Sequence, residues 1–422
     1  MQGSLAITPE RVVRQRLPNG LVILVIENQA SASVALQGQF LAGSQFEAPE
    51  HCGLASLTAA MLRRGTRQHT FQGLNQILDG AGASLGSYAN ERYAVLGGRA
   101  LASDLGLLLN LAAEMLREPA MDATEFAKAR GQILTNLGIY LNDTGYRASS
   151  AFDKALYGPE HPFGRETIGT PESLISMQQA DLTSFYERIY HPAQGILAVS
   201  GAVRADEVAA HFERLFGDWQ PPHQPPQEEI PPVAPPKGVV RVDVPLADKL
   251  QADLVWGTLG IARDDQRYYA ARMGDMILGQ LGMMGRLGNR VRDELGLAYY
   301  AGSRLERGAG PVSWEISAGI NPADLERTLS EIDAVVQGMR AELVSEAELA
   351  DCQSYLVGSM PLGLETNTDL VAQLVAIETH QLGFHYLQRF PELIHAVTRE
   401  DILAAMQCLD PANHVVAISG TL

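Results

Sequence analysis

Short apolar runs and helix-period stripes follow one another irregularly along this chain. Leu21-Val-Ile-Leu-Val-Ile26 and Ser33-Val-Ala-Leu-Gln-Gly38 read as strands, because compact apolar runs bounded by polar residues suit a buried sheet. From Gly53 to Arg64 the period changes, and Leu54, Leu57 and Met61 share one face of a predicted helix. Two longer helices follow at 102–117 and 123–141. In the first of them Leu105, Leu108, Leu109, Ala112 and Leu116 recur at helical steps, and Pro119 stops it. Strands and helices do not alternate regularly, so the pattern predicts an α+β fold with mainly antiparallel sheets covered by helices, not a doubly wound parallel one.

The same wording closes both halves of the chain. Pro192-Ala-Gln-Gly-Ile-Leu-Ala-Val-Ser-Gly201 matches Pro411-Ala-Asn-His-Val-Val-Ala-Ile-Ser-Gly420, each an apolar strand closed by Gly. Earlier, Gly65, Asn75, Asp79 and Gly82 correspond at a constant offset to Gly279, Asn289, Asp293 and Gly296. Such self-similarity predicts two duplicated lobes. Between them, the stretch from Trp219 to Gly238 is dense in proline (Pro221, Pro222, Pro225, Pro226, then Pro231, Pro232, Pro235, Pro236). Proline removes amide donors and favours an extended spacer. The expected division is therefore an N-terminal lobe 1–218, a linker 219–237 and a C-terminal lobe 238–422.

Composition narrows the function. The formal charge of −17 argues against nucleic acid and anionic membrane, since an acidic surface repels phosphate. Cys52, Cys352 and Cys408 are too few and too scattered for a disulfide framework or a zinc ribbon. The stretch Met1–Glu10 has no basic segment followed by an apolar core, and no apolar run is long enough to span a bilayer, so a cytoplasmic location is expected.

Several stretches together resemble one family, the inverted zincins related to pitrilysin and mitochondrial processing peptidase. Leu17-Pro-Asn-Gly-Leu-Val-Ile-Leu is similar to the family's first strand, and Gly43, Glu47, Gly53-Leu54-Ala55 and Gly65-Thr66 follow its next segment. Leu156-Tyr-Gly-Pro-Glu-His-Pro-Phe-Gly164, Gly169-Thr-Pro-Glu-Ser, Tyr190-His-Pro192, Gly285-Arg-Leu287, Gly296-Leu-Ala-Tyr299 and Gly363-Leu-Glu-Thr366 continue the match in order. Active members place H-x-x-E-H directly after Gly-Leu-Ala, two imidazoles for zinc and a Glu that activates water, with a further Glu ligand from a later helix. Here those positions hold Ser56, Ala59 and Ala60, and the later one falls at or near Asn136. Methyl and hydroxymethyl groups do not replace imidazole, so no metal is expected in this chain.

The resemblance implies a non-catalytic subunit that works with a homologous zinc-bearing partner on peptide substrates. Arg292 and Tyr299 stand where such subunits carry an Arg and a Tyr that hold the peptide and its oxyanion in trans. Two other readings stay open: a structural core-type subunit, and a metal-free homodimer that binds peptide. A plainer account of the pair is a solvated Arg and a core Tyr; a strand would send the neighbouring Tyr300 to the opposite face. Tyr88-Ala-Asn-Glu-Arg-Tyr93 occupies the place of a family strand whose edge pairs with substrate. Gly279, Gly282, Gly285 and Gly288, spaced by three, imply either a close approach to substrate or a plain turn.

Overall fold

The computed structural model describes residues 7–422. Its first sheet holds β1 (Val12–Arg16), β2 (Val22–Glu27), β3 (Ser33–Phe40), β4 (Ser84–Ala89), β5 (Ala94–Leu101) and β6 (Gly195–Gly201) in the order β1-β2-β6-β3-β5-β4. The second holds β7 (Val239–Pro245), β8 (Ala252–Leu259), β9 (Ala298–Leu305), β10 (Ser313–Ile320) and β11 (His414–Gly420) in the order β7-β11-β8-β10-β9. In each sheet one pair is parallel, β2 with β6 and β7 with β11, and every other pair is antiparallel. The fold is α+β with mainly antiparallel sheets, as the pattern predicts.

The repeat is visible in this topology. With β1 set aside, the two strand orders are the same, and the parallel pair takes the same place in both. Two of the matched glycine pairs keep the same backbone: Gly82 and Gly296 have φ 60° and 62°, and Gly201 and Gly420 have φ 158° and 157°, whereas Gly65, with φ 126°, differs from Gly279, which ends a helix. The matched closing segments form β6 and β11, which lie inside their sheets. All seven residues of β11 are buried, which explains its unbroken apolar run.

The predicted helices are α1 (Leu54–Leu62), α3 (Leu105–Arg117) and α4 (Ala123–Tyr140), and α2 (Phe71–Gly80), which is not among them, lies between the first two. A fifth, α5 (Thr144–Tyr157), follows directly. From Trp219 to Lys237 the chain contains neither helix nor strand, as its prolines require.

The chain divides into two compact units, each taking most of its length from one side of the proline-rich stretch and one piece from the other. The first comprises Met1–Leu137, Glu166–Glu229 and Met360–Gln388; the second comprises Gly138–Arg165, Ile230–Ser359 and Arg389–Leu422. In the second unit α5 packs on β7, β8 and β11, although it precedes the linker. Its Ala148, Phe152 and Leu156 recur every fourth residue, so one stripe is buried with Val255, Val415 and Ala417. Gly257 of β8 leaves room for this stripe, since a Cβ there would sit 3.0 Å from the Phe152 ring and 2.4 Å from the Trp314 carbonyl.

The first unit receives the helix Asn367–Thr379, which packs on β3 and β6. Buried Asn367 donates to the Ser33 carbonyl (3.0 Å) and accepts from the Ser200 hydroxyl (3.0 Å) and the Asn28 amide (2.8 Å). At the other end of this helix the Gln39 amide donates to Thr379 (2.8 Å) and Arg14 pairs with Glu378 (2.7 Å).

Candidate functional site

Helix α1 starts at Gly53, whose φ of 91° suits glycine. A Cβ there would also lie 2.7 Å from the Ile168 carbonyl oxygen. The carboxylate of buried Glu47 accepts from the amides of Gly53 (3.0 Å) and Ala55 (2.5 Å), satisfying donors that a helix start leaves open. The sequence signal for this cap is a single acidic residue a few positions before an otherwise apolar helix start.

Along α1, Leu57, Thr58 and Ala59 are fully buried, and Ser56 and Ala60 are half-buried. The Ser56 hydroxyl donates to the Thr167 carbonyl (2.6 Å), and Thr167 in turn donates to Glu91 (3.0 Å). A hydroxyl committed to a backbone carbonyl, with no imidazole beside it, is neither a metal ligand nor an activated nucleophile. The Ala59 carbonyl accepts from Ser87 (2.6 Å). Asn136 lies exposed on α4. That helix is tied to the end of α1 by Arg64, which pairs with Glu125 (3.1 Å) and bonds Gln132, one turn before Asn136. The donors needed for zinc are missing at Ser56, Ala59, Ala60 and Asn136, so these positions do not fit the metal. Among the described residues no group of three or more His, Cys, Asp or Glu side chains is placed to hold a metal ion.

The family strand expected over residues 88–93 is only partly a strand. Tyr88 and Ala89 end β4, while Asn90 accepts from the amides of Arg92 (3.0 Å) and Tyr93 (2.7 Å) and forms the hairpin turn into β5. β4 is an edge of its sheet, and Tyr88 is exposed on it.

In the second unit, Arg292 sits in a π-helical segment, Gly288–Glu294, that packs against β9. It is partly exposed and, among the described residues, pairs with its neighbour Asp293 at 3.9 Å. Tyr299 lies on β9, an edge strand, with 81% of its surface exposed. Pairing with β10 slips here: Tyr300 faces Gly319 but Ala298 faces Ile320, so Tyr299 is the extra residue of a bulge. Bulges re-aim side chains, and this one leaves Tyr299 outside the sheet's packing. Tyr300 instead donates its hydroxyl to Asp253 (2.7 Å) and is half-buried, and burial beside that carboxylate pushes its phenol up.

The glycine-rich run is a tight non-helical turn. Gly282 has φ 64°, Met284 φ 75° and Gly285 φ 60°. A Cβ on Gly279 would lie 2.0 Å from the Ser303 nitrogen of β9, so the close approach is to the protein's own edge strand. Arg286 fastens this turn through two bonds to Glu348, from Nε (2.7 Å) and Nη2 (2.8 Å). Glu348 also accepts from the Ser345 amide (2.8 Å), closing the start of the helix Glu346–Ser359. The Arg286 guanidinium holds the Glu348 carboxyl at about 2, below its ordinary 4.5. A depressed folded-state value means that stabilisation is complete above about 4.5 and lost as pH falls toward 2. Glu348→Gln is therefore expected to lower the urea midpoint near neutral pH, with the gap from wild type closing below about 4.5; a gap independent of pH would contradict this.

Comparison with known proteins fits this architecture. Residues 22–149 match the family model described as Insulinase (Peptidase family M16), and residues 176–356 match Peptidase M16 inactive domain. A solved structure described as a peptidase M16 inactive domain from Pseudomonas fluorescens superposes with TM-score 0.89 at 27% identity, covering 97% of this chain and 98% of that one. A protease from Helicobacter pylori shares the fold with TM-score 0.87 at 18% identity, over 98% of this chain and all of its own (100%). Uncharacterized zinc proteases are similar too: one from Mycobacterium leprae is 27% identical, over 97% of this chain and 92% of the relative. Another, from Mycobacterium tuberculosis H37Rv, is 26% identical over 98% and 94%. The scaffold is that of a duplicated peptidase. The chain belongs to peptidase family M16, the insulinase family. No helix among the described residues is long and apolar enough to cross a membrane.

Proposed function

We propose that this chain is the non-catalytic, substrate-holding subunit of a heterodimeric zinc metallopeptidase, and that a homologous subunit supplies the zinc. The observation that carries the reading is the chemistry of α1: Ser56, Ala59 and Ala60 stand where the family's ligands and general base belong, on a helix that is otherwise intact and capped. The exposure of Tyr299 and Arg292 supports it from the other repeat. In the assembled enzyme the Tyr299 hydroxyl donates to the oxyanion that develops at the scissile carbonyl, and the planar Arg292 fork holds a peptide carbonyl. The Tyr299 hydroxyl, and Arg292, whose ion pair is a long one to its own neighbour Asp293, are available for this without disturbing the fold.

The test uses a protein of similar length that carries Gly-Leu-Ala-His-x-x-Glu-His as the partner. Size-exclusion chromatography and cleavage of an unfolded peptide are measured for each chain alone and for the mixture. A stoichiometric complex, with cleavage in the mixture well above either chain alone, is expected. A complex whose cleavage does not exceed that of the partner alone would make this a structural core-type subunit. A chain that pairs only with itself and binds peptide without hydrolysis would make it a peptide-binding homodimer.

A further inference from the structure

Matching the two repeats leaves one strand over. β2 pairs with β6, and β7 with the corresponding β11, both in parallel. Ile196 and Ser200 of β6 match Val415 and Ser419 of β11, so residues 22–26 of β2 correspond to residues 240–244 of β7. Over that span β1 runs antiparallel to β2, from Val12 against Ile26 to Arg16 against Val22. β7 is an edge of its sheet, with no strand on its outer side among the described residues. One framework is therefore closed in the first sheet and open in the second.

The open edge has defined donors. The amides of Gly238 and Leu246 point toward β11, donating to Asn413 Oδ1 (2.8 Å) and to the Gly420 carbonyl (2.7 Å). Backbone groups alternate sides along a strand, so Val239, Arg241 and Asp243 turn their N–H groups outward. Pro245 falls on the same side, where a missing amide costs the sheet no bond. An unpaired edge of this kind is a template for a further strand.

The side chains select which strand fits. Placed antiparallel to its own copy about a two-fold axis at Val242, β7 sets Arg241 against Asp243 of the second copy, and Asp243 against its Arg241. Val240 then faces Val244, Val242 faces itself, and the Val239 amide meets the carbonyl of Pro245. Residues 241 and 243 fall in hydrogen-bonded positions of this ladder, where their outward amides and carbonyls meet. Opposite charges and β-branched side chains directly across a ladder stabilise it. Such self-complementarity is what an isologous interface requires. Arg241 is exposed and now donates to Asp243 (2.9 Å) and Glu326 (2.7 Å), so exchanging one Asp243 for the other strips no buried charge. Charges and proline also guard free edges. Guarding needs no particular sign, whereas here opposite signs flank Val242 at equal distance.

We propose that β7 is a self-association edge: a second copy of this chain adds its own β7 antiparallel, joining two five-stranded sheets into one. The interface uses none of the residues assigned above to peptide handling, and it does not depend on that reading.

Sedimentation velocity of the full chain alone, over a wide concentration range, tests it. Two acidic copies repel, so the salt is physiological, which screens charges beyond about 8 Å. A concentration-dependent passage from monomer to dimer is expected. Arg241→Asp and Asp243→Arg should each weaken it by about tenfold or more, because like charges then face each other. Mixing the two variants should restore it, since an acidic edge then meets a basic one. Both positions are exposed, so the variants are expected to fold, and circular dichroism checks this. In the wild type, amide exchange at Val239, Arg241 and Asp243 should slow as concentration rises, a readout that needs no variant. A wild type that stays monomeric throughout overturns the proposal and leaves β7 a guarded edge. A dimer that both substitutions leave intact overturns it too, as does a mixture no tighter than its components.

Discussion

Tyr299→Phe is expected to lower kcat of the assembled peptidase by a factor on the order of 10²–10³, the loss seen when one oxyanion donor is removed. The thermal midpoint of the chain should stay where it is, because Tyr299 is 81% exposed and its hydroxyl has no partner among the described residues. This separation of activity from stability is what the bulge in β9 makes possible. Phe keeps the ring and deletes only the donor, so KM should change little. Arg292→Lys keeps the charge but loses the planar fork, and its expected effect falls on KM as well as kcat. Equal kcat for Tyr299→Phe and wild type, each saturated with partner, would remove the tyrosine from the reaction.

Phe152→Ala should destabilise the protein by about 3–5 kcal/mol, the usual cost of removing a fully buried phenylalanine ring. Phe152 has no exposed surface, and the stripe it belongs to is packed with β8 and β11. The position of the damage is the informative part. Phe152 lies before the proline-rich stretch, yet amide exchange should quicken in β8 and β11, which lie after it, before it quickens in β2 and β3. Hydrogen exchange with peptide-level readout decides the matter, and early loss of protection in β2 and β3 would contradict the packing described here.

Much of this was legible in the sequence, for reasons that differ from element to element. The apolar runs at Leu21–Ile26 and Ser33–Gly38 became β2 and β3 because a strand buried on both faces needs no alternation. The helix after Gly53 kept its stripe, and the small side chains of Ser56, Ala59 and Ala60 along it could be read one by one. Tyr299 and Tyr300 separated as neighbours on a strand should, with Tyr300 turned to Asp253. Three features were hidden. The destination of α5 depends on a sheet formed after the linker, and the spacing of Ala148, Phe152 and Leu156 shows a buried face without naming its partner. The bulge at Tyr299 arises from registry against β10, which local pattern does not encode. The cap from Glu47 pairs a carboxylate with amides beyond the intervening turn, and short-range capping rules look only three residues ahead.

The traded helices, α5 and Asn367–Thr379, change what the proline-rich bridge is for. Severing the polypeptide between Trp219 and Lys237 would not yield two self-sufficient pieces, since each fragment would carry off a helix that the other needs to complete its core. The nicked molecule should stay together under native conditions and come apart only on denaturation. The arrangement also has the logic of a reciprocal swap between identical copies, later joined end to end. A single-repeat ancestor that exchanged this helix with its twin would already possess both cores, and fusion would then require only a spacer.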